Sequence, residues 1–440
     1  MHARLLRGLY GTRQGGALWA DVRTKVLAKH GLKRSLADPS LYTRVENGTY
    51  LLVSTIVDDF VITGTKNEII AFKRTIAKEW DMTDEGKLFW CLNLRITRDI
   101  RRGLLKIDQT QYIDEILKRF NMEDCNTRKT PMRERPVLSD MCPDKPEDYQ
   151  ETFPYANALG CLLYLRLTRP DCLVAISILA RFIKHPSRKH WEATKDVFRY
   201  LRATKTRGLL YPSTKVTLKM PWRITMWVDS DYGTNPDNRR SRAGFLGYLN
   251  ANLITFNTAL QRGNKKPQHD DGLRSDFHGV VFPKTPMDDE PLPSMSTGTC
   301  DAEYLALSLA VKELIWIYMI LKTMSIPIEK SCIVYEDNRA TIKIAENATA
   351  MKRTKHIDIR HHFLREHVEN GTIKILPIAT AEQRADIMTK VLGAVQLFTH
   401  FRDIITSDVD LTDVDKRTCN HCARIFKSRN KLFKHINNCH

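Results

Sequence analysis

Four acidic residues stand where a folded chain could bring them together: Asp229, Glu303, Asp337 and Asp386. Asp229 closes the apolar run Ile224-Thr225-Met226-Trp227-Val228. Side chains alternate along a strand, so Ile224, Met226 and Val228 share one face while Trp227 and Asp229 share the other. A carboxylate in such a strand is costly unless a cation meets it. Glu303 lies on the apolar stripe of a predicted helix over 301–324, one turn before Ala306, Leu307 and Ala310. Asp337 follows the predicted strand Ile333-Val334-Tyr335, at the carboxyl end where α/β sheets place ligands. Asp386 falls in a helix predicted from 381, after a strand over 373–376. Taken singly, each acid reads as a cap or a solvated group. Crowded together they would repel unless two divalent ions, typically ~4 Å apart, sat between them. That arrangement suits Mg²⁺ or Mn²⁺ and in-line cleavage of a phosphodiester, one ion serving the water and the other the leaving 3′ oxygen.

Two further constellations carry chemistry. Asp58 and Asp59 interrupt a β-branched run over 51–64, which predicts a hairpin with its acids at the tip. Such a tip can offer carboxylates to Mg²⁺ and a triphosphate, and it can equally be a solvated turn. Near the carboxyl end, Cys419 and Cys422 are followed by His435 and then by Cys439 and His440. Phe426 and Leu432 take the two core positions of a ββα zinc finger, a unit too small to fold without tetrahedral Zn²⁺. Cys439 is preferred as fourth ligand, with His440 as the alternative. Lys427, Arg429, Lys431 and Lys434 on the finger helix are compatible with nucleic-acid contact.

The elements that must position these groups follow from periodicity and breakers. Helices are predicted over 18–29, 68–80 and 112–120, with strands near 88–97, and several helices over 155–202. Stretches 126–150 and 203–221 read as a surface linker and a hinge. Strands over 224–232, 243–249 and 253–256 precede a stretch over 262–296 that holds five prolines, lacks periodicity and reads as a disordered insertion. The excess of 69 Lys and Arg over 51 Asp and Glu, a formal +18, suits a polyanionic partner. Lys352, Arg353 and Lys355 form a phosphate-facing patch or a merely solvated face. Nearby His356, His361 and His362 read as surface or packing residues. No stretch approaches a membrane span, the run over 314–321 being too short, and no signal-peptide core opens the chain. Of ten cysteines, three cluster after 418 and seven are scattered, which fits an intracellular, reducing setting with one metal site.

The order of short motifs resembles the Pol polyprotein of copia-type LTR retrotransposons. Leu9-Tyr10-Gly11-Thr12-Arg13-Gln14 with Trp19 is similar to the family's "LYGLKQ…W", and Val57-Asp58-Asp59 with Thr63-Gly64 to its "YVDD…TG". Matches continue through Gln109-Thr110-Gln111-Tyr112-Ile113, Thr168-Arg169-Pro170-Asp171 and Arg199-Tyr200-Leu201. Ala302-Glu303-Tyr304 resembles "EAEY", Glu336-Asp337-Asn338 "CDN", and Ala385-Asp386-Ile387-Met388-Thr389-Lys390 "ADIxTK".

The resemblance implies a multidomain α+β and α/β chain. It comprises a partial reverse-transcriptase palm and thumb (1–125), a linker (126–150), a helical connection (151–205) and a ribonuclease H-like mixed sheet with flanking helices (222–395). An acidic tether (403–418) and the finger (419–440) complete it. Asp229, Glu303, Asp337 and Asp386 would be the ribonuclease H quartet, and Asp58 and Asp59 a remnant of the polymerase site. Gln14 would touch nucleic acid. The family's first polymerase aspartate lies upstream of the "LYGLKQ" segment, and Ile56 replaces a tyrosine. The expectation is therefore hydrolysis of RNA in RNA–DNA hybrids by a chain that does not polymerise by itself. The implied partners are hybrid, other nucleic acid and an upstream Pol segment, without a membrane; the implied setting is a cytoplasmic particle or the nucleus. The alternative is an inactive remnant that only binds nucleic acid.

Overall fold

The computed structural model describes residues 12–46, 48–133, 138, 153–214, 216–261, 277–278, 298–346, 358–401 and 405–406. The zinc-finger residues, Lys352, Arg353, Lys355, His356, nearly all of 262–296 and most of the acidic tether lie outside them.

Helix α1 (Arg13–Lys29) leads into an antiparallel sheet of β1 (Lys33–Arg34), β2 (Leu41–Glu46), β3 (Thr49–Ile56) and β4 (Asp59–Gly64), and α2 (Lys66–Ile76) follows. Phe72 and Ile76 of α2 pack with Leu27, Leu51 and Val53, so this unit has its own small core. Next come β5 (Trp90–Cys91), β6 (Leu94–Asp99), β7 (Leu104–Asp108), α3 (Thr110–Arg119), α4 (Tyr155–Tyr164), α5 (Leu173–Leu179) and α6 (Arg188–Ala203). The predicted hinge instead contains a strand, β8 (Gly208–Pro212), paired antiparallel to β7. Its partner lies some hundred residues earlier, so local composition carried no sign of the pairing. The predicted surface linker also differs: Met132 and Leu138 are buried in the helical core, and Arg128 pairs with Asp196 at 2.6 Å.

The carboxyl-terminal half is built on a mixed sheet. It comprises β9 (Ile224–Asp231), β10 (Arg242–Leu249), β11 (Asn252–Leu260), β12 (Phe277–His278), α7 (Thr299–Thr323), β13 (Cys332–Glu336), α8 (Arg339–Glu346), α9 (Asp358–Glu369) and β14 (Ile373–Pro377). Short helices α10 (Asp386–Thr389) and α11 (Ala394–Phe401) and strand β15 (Ile405–Thr406) follow, β15 joining the edge of β8. Strand order is β12-β11-β10-β9-β13-β14. The β9, β10 and β11 meander is antiparallel, whereas β13 runs parallel to β9 and β14 parallel to β13. The helix predicted from 381 is shorter than expected: a 3₁₀ turn over Thr380–Glu382 precedes α10.

Alternation along β9 decides how the layers stack. Ile224, Met226 and Val228 enter one core with α7, while Trp227 packs against the other, which holds Leu246, Tyr248 and the helices α4 to α6. The helical connection and the sheet thus share one core rather than forming separate bodies. Within the helical part, Arg169 and Asp171 form a fully buried bidentate pair completed by Tyr200 and Thr204.

Helix α7 is long and apolar enough to cross a membrane by length and composition, with a mean hydropathy of 1.7 over an 18-residue window, contrary to the sequence expectation. Lys312 and Glu313 divide its apolar run, which hid that length. Leu307, Ala310, Val311 and Leu314 are fully buried in the sheet core.

Gly244 sets the approach of α10 to the sheet. A Cβ there would lie 2.6 Å from Met388 Cβ and 2.9 Å from the Met388 carbonyl carbon. Gly244→Ala must push α10 outward and is expected to lower stability by roughly 1–3 kcal/mol, as overpacking does. Urea unfolding measures this, and an unchanged midpoint would show that α10 yields freely.

Candidate metal centre

Asp229 leaves β9 on the edge where β13 ends, Glu303 projects from the first turns of α7, and Asp337 follows the last residue of β13. Parallel pairing of β9 with β13 aligns their carboxyl ends, and α7 packed on the same sheet brings its amino end to that edge. Ligand atoms of Asp229, Glu303 and Asp337 all lie within 4.8 Å of one another, the only such group of three among the described residues. Asp229 and Glu303 are buried and Asp337 half-buried.

The fourth predicted acid does not join them. Asp386 is held by Lys390, whose Nζ lies 2.6 Å from Asp386 Oδ1 and 3.5 Å from Asp229 Oδ2. Asp386 thus stands beside this group of three, tied to Asp229 through an ammonium group. Thr389 Oγ1 donates to Asp229 Oδ2, and buried Gln383 donates from Nε2 to the Val228 carbonyl at 2.8 Å, fixing the end of β9. Sequence reasoning named Thr389 and Lys390 only within a motif, without a role, and passed over Gln383. Lys390 had a signal, its i+4 spacing from Asp386 with opposite charge.

Glu336 was likewise named only within its motif and given no role. It is fully buried, its Oε1 accepts from the Asn338 amide at 3.0 Å, and its Oε2 has no partner. Glu303 Oε2 is also buried without a partner. Buried carboxylate oxygens left this way call for a proton or a cation. Three converging carboxylates fit a hard divalent ion such as Mg²⁺ or Mn²⁺.

Elsewhere, Asp58 and Asp59 stand exposed at the hairpin between β3 and β4, as predicted. Val57 turns that hairpin with φ 53°, a costly conformation for a β-branched residue. Trp19 Nε1 donates to the Val57 carbonyl at 3.0 Å and helps hold it. Gln14 is exposed in the first turn of α1 and His362 is exposed on α9; nothing of the His361 side chain is described.

Residues 2–134 match the family of reverse transcriptases (RNA-dependent DNA polymerases). Over 398 residues, 89% of this chain, it is 30% identical to the retrovirus-related Pol polyprotein from transposon TNT 1-94 of Nicotiana tabacum. It is 27% identical over 405 residues, 91% of the chain, to that from transposon RE2 of Arabidopsis thaliana. These matches support a retrotransposon Pol fragment. The chain spans about a quarter of the length of these two relatives, 27% and 25%. A putative transposon Ty5-1 protein of Saccharomyces cerevisiae is 26% identical over 262 residues, covering 59% of this chain and 82% of that protein. The long alignments include the carboxyl-terminal sheet, whereas the reverse-transcriptase match covers the first two sheets only as far as β7.

The electrostatics of the triad follow from burial. Burial raises Asp229 to about 6 against the opposing charge of Lys390, and Asp386 adds to the rise. Burial, then Glu336 and Asp229, lift Glu303 to about 10. Glu336 is pushed well above the usual carboxylate range, again by burial first. Burial disfavours the charge on Lys390, yet Asp229 and Asp386 outweigh it and hold the ammonium up to about 12.

The consequence for stability has a definite sign. Asp229 binds its proton more tightly folded, at about 6, than unfolded, near 3.8. Its contribution is fully present below pH 3.8 and is lost as pH rises through about 6. Without divalent ions, stability relative to Asp229→Asn should fall across that window by on the order of 2–3 kcal/mol. Thermal melts of both proteins from pH 3.5 to 8 measure it, and parallel curves would contradict the burial argument.

Proposed function

We propose that the mixed sheet carries a ribonuclease H-like nuclease centre that hydrolyses the RNA strand of RNA–DNA hybrids with Mg²⁺ or Mn²⁺. The observation that carries this reading is the convergence of Asp229, Glu303 and Asp337 within 4.8 Å at one sheet edge. An antiparallel three-strand meander followed by two parallel strands agrees with it. Similarity to retrotransposon Pol polyproteins supports nucleic acid as the partner class. When bound, the divalent ions supply charge neutralisation and activation for in-line phosphodiester hydrolysis.

The chain's own residues do the positioning. Asp229, Glu303 and Asp337 hold the ion, Thr389 fixes the Asp229 carboxylate, and Gln383 fixes the backbone beneath it. Hybrid shape and 2′-hydroxyl contacts set selectivity, and base sequence goes largely unread. Gln14, Lys352, Arg353 and Lys355 are proposed contacts to the backbone of the duplex. Asp58 and Asp59 gather no third metal-capable side chain among the described residues, so polymerisation is not assigned to them. One observation favours the alternative of an inactive nucleic-acid-binding remnant: Lys390 already neutralises part of the acidic group.

Cleavage of an end-labelled hybrid by the purified chain across a Mg²⁺ titration separates the two. Glu303→Gln or Asp337→Asn is expected to abolish cleavage with hybrid affinity unchanged, and either variant cutting normally would refute the assignment. Cys419, Cys422, His435 and Cys439, or His440 in place of Cys439, are proposed to hold Zn²⁺, with Lys427, Arg429, Lys431 and Lys434 facing nucleic acid. Replacing Zn²⁺ by Co²⁺ should give the intense visible bands of tetrahedral thiolate coordination, and Cys422→Ser should remove them.

A further inference from the structure

Lys390 stands where the fourth acid of the centre would otherwise meet an ion. We propose that its ammonium is a built-in cation that fills the second metal position. The resting centre then takes one divalent ion at Asp229, Glu303 and Asp337. A second enters between Asp229 and Asp386 only when Lys390 withdraws. This rests on the metal-centre reading above and adds an order of filling to it.

Two independent observations carry it. First, Lys390 Nζ bridges Asp386 at 2.6 Å and Asp229 at 3.5 Å, and Asp386 is absent from the group that gathers Asp229, Glu303 and Asp337. An ion held by Asp229 and Asp386 would need the space the ammonium now takes. Like charges a few ångströms apart in a partly buried site repel, so the two cations compete. One divalent ion plus the ammonium offsets three of the four negative charges of Asp229, Glu303, Asp337 and Asp386.

Second, there is somewhere for the lysine to go. Lys390 also lines a cavity of about 360 Å³, together with Asp231, Thr234, Asn235 and Arg242. Its side chain is about one-third exposed, and the Asp231 carboxylate lines the same cavity, beside Arg181 and Arg242. A swing of the flexible four-carbon stem exchanges one acidic partner for another without unfolding α10.

Mn²⁺ titration followed by electron paramagnetic resonance tests this on the full, zinc-saturated chain without nucleic acid, with Asp229→Asn as the blank. The wild-type protein is expected to take one ion at the centre, with an uncoupled signal. Lys390→Met should take two, spin-coupled through the shared Asp229 carboxylate, the second bound at least roughly tenfold tighter than in wild type. Lys390→Arg, which keeps the charge, should behave as wild type. Two ions of matching affinity in both wild type and Lys390→Met would overturn the role of Lys390 and leave the metal centre standing. No ion in either would overturn the metal centre itself, and this inference with it.

Discussion

Carboxylates a few ångströms apart in a buried site repel one another by several kcal/mol. Here three sit within 4.8 Å, with the buried Glu336 close behind them. The fold meets that repulsion in three ways. Burial keeps protons on Glu303 and Glu336, Thr389 donates a hydrogen bond to Asp229, and Lys390 places a positive charge between Asp229 and Asp386. Each device offsets part of that repulsion in the folded protein.

The scaffold behind the acids is over-determined. Apolar layers cover β9 on both faces, Gly244 lets α10 lie directly on the sheet, and α7 supplies Glu303 at its first turns. The far end of α7 is tied to the amino-terminal sheet. Trp316 Nε1 donates to the Ala37 carbonyl at 3.0 Å, and Thr43 Oγ1 donates to the Thr323 carbonyl at 3.3 Å. One helix therefore connects the reverse-transcriptase-like region to the acidic edge, over roughly 30 Å by the rise of an α-helix.

What was legible in the sequence was what depends on short-range pattern. The parity of β9 placed Asp229 opposite Met226 and Val228, the stripe of α7 aimed Glu303 inward, and the end of β13 delivered Asp337. The hairpin bearing Asp58 and Asp59 was readable for the same reason. What was not legible depends on distant partners. Strand β8 exists because β7 offers an edge, and Met132 is buried because helices from elsewhere cover it. Asp386 followed the motif, yet its engagement with Lys390 rather than with the other three acids turns on a few ångströms that spacing cannot resolve.

A strand clothed on both sides has a strict parity. One residue inserted between 224 and 229 would turn the remainder of β9 over, sending Trp227 toward α7 and swinging the carboxylate off its edge. Gains or losses in the 232–241 turn leave the strand's phase untouched. A single residue added to this strand would therefore scatter the acids, whereas one added to the turn beside it would disturb only local contacts such as those of Arg181 with Asn235 and Asp237.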